Sequence, residues 1–192
     1  IVGSFLYKQA VCDGISKAFK QLCDLASINC NVVFGDSWNE YEKPQKHAWN
    51  MVKIDKDWYH IDVTWNINLS QRFKYVRYDY FNIRESDVIK DHRNFDKLEI
   101  CDSLKNNFFY ENKCILNGRN ELEKFLVDKL NNIKNNNASK NIYFKLYLKE
   151  NEDACSLISN AISKASIKTF YFSTGYTLNS NSTQNVYLIR LN

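Results

Sequence analysis

Ile15, Ala18, Phe19, Leu22 and Ala26 repeat at the i, i+3, i+4, i+7 spacing of an amphipathic helix. Cys12 stands just ahead of them, so the pattern starts the helix at about Asp13 or Gly14. The period then changes. Asn29 to Phe34 reads as a short strand ended by Gly35. Asp36 to Lys46 is polar, contains the single proline, Pro44, and reads as a loop. His47 to Ile54 and Trp58 to Trp65 read as two strands joined by a tight turn at Asp55-Lys56. Lys74 to Ile83 is aromatic-rich and reads as a strand, and Ser86 to His92 as a short helical turn.

Residues 96–120 show little periodicity and read as a connector. Beyond it, Leu122, Phe125, Leu126, Leu130 and Ile133 mark a helix, and Ile142, Phe144, Leu146 and Leu148 alternate as a strand. Ala154, Leu157, Ile158, Ala161 and Ile162 mark a second helix. Ile167 to Phe172 and Asn185 to Leu191 read as further strands. The expected organisation is a core over 1–95, a connector over 96–120 and a small α+β unit of unassigned role over 121–192.

Composition narrows the function classes. In 192 residues, 44% are hydrophobic and 25% charged, ordinary values for a folded globular chain. The net charge of +4 comes from lysines spread along the sequence, not from a basic stripe, so a nucleic-acid partner is not expected. No apolar run reaches the length of a membrane span. The chain opens on Ile1 instead of Met, which leads us to expect that a preceding segment has been removed. Six cysteines without a CxxC pair fit neither a disulfide scaffold nor a structural zinc site. Cys23 and Cys30 are expected as buried free thiols. No cofactor is expected, and the acidic residues form no calcium loop. Oligomeric state and compartment are not legible in the sequence.

One constellation could carry covalent chemistry. Cys12 lies at a helix N-terminus, where partial positive charge favours a thiolate. His47 and Asp62 fall in consecutive predicted strands. With a two-residue turn, Ile54 faces Asp57, Trp49 faces Asp62 and His47 faces Thr64. His47 and Asp62 then share one sheet face as diagonal neighbours, about 7–8 Å apart. Cys12 would be nucleophile, His47 base and Asp62 the residue that orients the imidazole. Taken singly, each has a plainer reading as a buried or hydrogen-bonded side chain; the conjunction is the signal. Asp62 in particular is disfavoured in a strand and needs a local reason to be there.

Three blocks carry a family resemblance: Val11-Cys12-Asp13-Gly14 running into Ser16-Lys17-Ala18-Phe19, His47-Ala48-Trp49-Asn50, and Trp58-Tyr59-His60-Ile61-Asp62-Val63-Thr64-Trp65. Tyr80-Phe81-Asn82 and Asp91-His92 resemble the segment that follows the core in bacterial members. Over residues 1–95 the chain resembles the transglutaminase-like superfamily, a branch of the papain-like thiol enzymes. The resemblance implies an α+β fold with Cys on a helix and His and Asp on adjacent antiparallel strands. It implies thiolate attack by Cys12 on a carboxamide or peptide carbonyl of a protein or peptide substrate, His47 as general base and acid, and Asp62 as orienter. An amine or water then receives the acyl group, as acyltransferase or as cysteine peptidase. A non-catalytic peptide-binding scaffold of the same fold is the remaining alternative. The Cys12 N–H would be one oxyanion donor, with Gln9 and Tyr7 as the nearby polar residues for a second. Trp49 and Trp65 are expected in the core or cleft wall, Trp58 partly exposed at the turn, His60 at the surface or, since it shares strand parity with Asp62, supporting that residue, and His92 in a structural role. Trp38 and Tyr41 could line a groove.

Overall fold

The computed structural model describes residues 3, 6, 10–38 and 43–192. The chain divides into two compact units, residues 1–111 and 112–192.

In the first unit the predicted helix is α1 (Cys12–Leu25), followed by β1 (Cys30–Ser37), β2 (Gln45–Ile54) and β3 (Asp57–Ile61). These antiparallel strands and the short β4 (His92–Arg93) form a sheet in the order β3-β2-β1-β4. The β2–β3 register is the one the two-residue turn demands: Ile54 faces Asp57, Val52 faces Tyr59 and Asn50 faces Ile61. Two clusters form the core, one around Val33, Trp49, Met51, Tyr80, Ile83 and Val88, the other around Cys23, Cys30, Val52, Tyr59 and Ile61.

The structure corrects several expectations. Gly35 does not end β1 but lies inside it, opposite His47. A Cβ there would come within 2.7 Å of the Arg93 carbonyl oxygen and 2.9 Å of the Trp49 ring, so only glycine fits between them. Asp62 is not a strand residue. Pairing stops at Ile61, and Asp62 caps α2 (Val63–Phe73), its Oδ1 accepting the Trp65 N–H at 2.9 Å. An aspartate satisfies a helix N-terminus better than a strand, which is the local reason for its presence. Lys74 to Ile83 forms no regular strand; Ile83 alone bridges to His60. The helical turn after it is α3 (Glu85–Val88), and α4 (Phe108–Glu111) closes the unit.

The second unit comprises β5 (Ile115–Asn117), α5 (Gly118–Asn136), β6 (Asn141–Tyr147), α6 (Ala154–Thr169), β7 (Tyr176–Asn181) and β8 (Val186–Leu191). Its sheet order is β5-β6-β8-β7, with only the β5–β6 pair parallel, joined through α5. Leu122, Leu126 and Leu130 of α5 and Ile158 and Ala161 of α6 are buried. Ile167 to Phe172 is not a strand: α6 runs through Ile167 and ends at Phe170, in the left-handed region at φ 52°. Among the described residues, no helix is long and apolar enough to cross a membrane.

Candidate functional site

Cys12 is the first residue of α1 and half-buried. The preceding Val11 supplies no side-chain cap to the helix. Two bonds fasten α1 to β2: the Ser16 hydroxyl donates to the Ala48 carbonyl at 2.8 Å, and Asn50 Nδ2 donates to the Ser16 carbonyl at 3.0 Å. Further along the helix, Cys23 lies in one buried cluster with Cys30, the strand partner of Val52. Burial pushes the Cys23 thiol up and Cys30 up to about 12, as expected of inert core thiols. Among the described residues, the Cys12 thiol has no hydrogen-bond partner.

His47 and Asp62 do come together. His47 Nε2 donates to Asp62 Oδ2 at 2.7 Å, with both side chains buried. The helix cap turns the Asp62 carboxyl so that Oδ1 serves α2 while Oδ2 faces the imidazole. Since Asp62 takes Nε2, the other ring nitrogen of His47, Nδ1, is left to face a reacting group.

A second imidazole shares that oxygen. His92 Nε2 lies 3.1 Å from Asp62 Oδ2, and His92 Nδ1 lies 2.7 Å from Asp91 Oδ1. Asp91 is held in turn by the Tyr80 hydroxyl, which donates to Oδ2 at 2.8 Å. A ring with a carboxylate at each nitrogen carries both protons. Burial opposes that charge, yet the two carboxylates outweigh it and push His92 up to about 9. Burial likewise opposes the Asp62 charge, but the His47 and His92 donors keep its carboxyl below the usual range. Trp49 and Trp65 flank both rings, with centroids 4.7–6.0 Å away.

His60, expected at the surface, is fully buried. Its Nδ1 accepts the Trp49 indole N–H at 3.1 Å and its Nε2 donates to Glu85 at 2.9 Å. An accepting nitrogen makes this ring neutral, and burial holds its pKa below the usual imidazole value. Trp38 lies beneath the Arg93 guanidinium, 3.5 Å from its ring centroid. Tyr7, Gln9 and Tyr41 lie outside the described residues.

His92 was the residue that sequence reasoning undervalued. A lone histidine in an aperiodic stretch gives no pattern. The one signal was the Asp91-His92 pair downstream of Tyr80-Phe81-Asn82. Donor atoms of His47, Asp62 and His92 lie within 4.8 Å of one another, a spacing compatible with a divalent ion. Those atoms are already bonded nitrogen to oxygen, so an ion would have to displace the protons that join them.

Residues 2–63 match the transglutaminase-like superfamily. The chain is 26% identical over 121 residues to kyphoscoliosis peptidase of Homo sapiens, an alignment covering 53% of this chain and 18% of that protein. It is 26% identical over 110 residues to kyphoscoliosis peptidase of Mus musculus, covering 49% and 17%. This chain therefore spans less than a fifth of the length of those relatives. The matched stretch, residues 2–63, holds Cys12, His47 and Asp62, and over it the chain is similar to the transglutaminase-like superfamily.

Proposed function

We propose that Cys12, His47 and Asp62 act as nucleophile, general base and orienter of a thiol enzyme that acylates itself on a protein or peptide carbonyl. The observation that carries this reading is the buried 2.7 Å bond from His47 Nε2 to Asp62, which leaves Nδ1 for a thiol. The course of α1 supports it. Ser16 lies against Ala48 and Asn50, and Cys23 against the partner of Val52, so helix and strand run in the same sense. Cys12 is one turn before Ser16 on the same helix face, which carries it toward the His47 end of β2.

In the proposed reaction the Cys12 thiolate attacks the carbonyl carbon while His47 holds the thiol proton. The C–S bond forms, the C–N bond breaks, and His47 gives its proton to the departing amine or ammonia. Water or an amine then attacks the thioester and His47 takes the incoming proton; the C–S bond breaks, the acid or amide leaves, and that proton restores the thiol. The relatives are named as peptidases, which favours water as the acceptor.

The test is per-cysteine iodoacetamide labelling below pH 7, read by peptide mass spectrometry. Cys12 is expected to label much faster than the exposed Cys155 and to lose that advantage in His47→Ala. Equal rates for Cys12 and Cys155 in the unmodified protein would sink the reading. Incubation with a glutamine-bearing peptide and a labelled primary amine then separates transfer from hydrolysis.

A further inference from the structure

We infer that His92 is a positioning residue of this site, a fixed cation clamped between Asp91 and Asp62 that holds Asp62 ionised and aimed at His47. The inference rests on the Cys12–His47–Asp62 reading and adds a fourth member to it.

The need for such a cation follows from the burial of Asp62, which is 1% exposed. In the proposed reaction His47 alternates between imidazolium and imidazole. When it is neutral, a buried carboxylate facing it alone would have no counter-charge and would tend to take a proton. A protonated Asp62 no longer favours the imidazolium that thiolate formation requires. His92 removes that difficulty because its charge does not depend on the state of His47. It is fully buried, both ring nitrogens meet carboxylate oxygens, and the second carboxylate is itself anchored by Tyr80. The contact also fixes geometry. Asp62 Oδ1 is tied to the Trp65 N–H and Oδ2 to two imidazoles, so the carboxyl cannot rotate away from His47.

The groups that face His92 are accounted for. His47 comes from β2, Asp62 from the cap of α2, Asp91 from the chain just before β4, and Tyr80 from the segment after α2. His60 of β3 also acts on the same surroundings and is neutral, with Glu85 and Lys97 paired beyond it. Asp62 and Asp91 are thus the negative charges in direct contact, and one fixed positive charge stands between them.

The experiment is the pH profile of Cys12 alkylation by iodoacetamide in the unmodified protein, His92→Gln and Asp91→Asn. Removing a fixed positive charge raises the proton affinity of every neighbour. The acidic limb of the profile in His92→Gln is therefore expected to move up by on the order of one pH unit, an about tenfold slower reaction at pH 6. A purely structural role would alter folding and leave that limb in place. Cys23, Cys30 and Cys101 report folding in the same digest, because they are buried and label only if the chain opens. If His92→Gln exposes them, Asp91→Asn decides, since its amide oxygen still accepts from Nδ1 while the charge is gone. A second reading is 15N NMR of the His92 ring, which should show an imidazolium at pH 8. A wild-type profile in folded His92→Gln, or a neutral His92 ring at pH 7, overturns the inference and leaves the triad standing. A Cys12 that is no more reactive than Cys155 and indifferent to His47→Ala overturns both.

Discussion

His60 and His92 are equally buried, yet one is neutral and the other charged. His60 spends Nδ1 as an acceptor for the Trp49 indole, so one of its nitrogens cannot hold a proton. His92 meets a carboxylate at each nitrogen. Burial acts against the charged form in both, and it prevails where the ring faces one carboxylate and one N–H donor. Depth alone therefore does not set the charge of an interior histidine; the identity of its two partners does. The charged ring is the one that touches Asp62.

The comparison can be broken most forcefully at Asp62. Asp62→Ala leaves His92 with one carboxylate, frees His47 and uncaps α2. Removing one member of a buried charged set costs about 3–5 kcal/mol, and chemical denaturation at pH 7 should show a loss of that size. A loss below about 1 kcal/mol would mean that the network is not the charged structure described.

The pH dependence of stability sharpens the contrast. His92 has its folded value raised from 6.5 to about 9, so its contribution is complete below 6.5 and lost as pH rises through about 9. His60 has its folded value lowered, so its contribution is present above 6.5 and lost as pH falls through the folded value. Urea midpoints should accordingly fall at both ends of the range. His92→Gln should flatten the alkaline side and His60→Gln the acidic side; the reverse assignment would refute the charge states.

Smaller effects come from the His60 partners. Trp49→Phe keeps an aromatic ring but removes the indole N–H, leaving a buried acceptor unpaired at a cost of about 1–3 kcal/mol. Glu85→Gln should cost less than about 1 kcal/mol, because Glu85 is partly exposed and the amide oxygen still accepts from Nε2. Both are measured by the same denaturation series.

Much of the first unit was legible where periodicity and turn chemistry agree. The apolar face of α1 and the Asp55-Lys56 turn fixed a helix and a strand register that the structure repeats. The helix α2 was not legible because it has no fully buried residue, so it carries no clear apolar stripe, and its first residues, Val63-Thr64-Trp65, are strand formers. β7 is an edge strand of mostly polar residues without a fully buried position, and alternation cannot mark it. Ile167 to Phe172 has strand-like composition, but Ile167, Phe170 and Phe172 are exposed, and the helix of which Ile167 is part overrides local preference. At the site, the His47–Asp62 pairing followed from parity even though Asp62 lies one residue past the strand. The His92 contact depends on a loop path of thirty residues beyond Asp62, which no local pattern encodes.

Asp62 divides its two oxygens between a helix and a histidine pair, and that division has a consequence for assembly order. Until the first turn of α2 has wound and offered the Trp65 N–H, Oδ1 has no fixed partner and the two imidazoles alone hold Oδ2. The full set of contacts on this carboxyl is therefore complete only when the helix behind it nucleates, and it loses one anchor if that single turn frays. Hydrogen exchange at the Trp65 amide would report the integrity of that set of contacts from a backbone position.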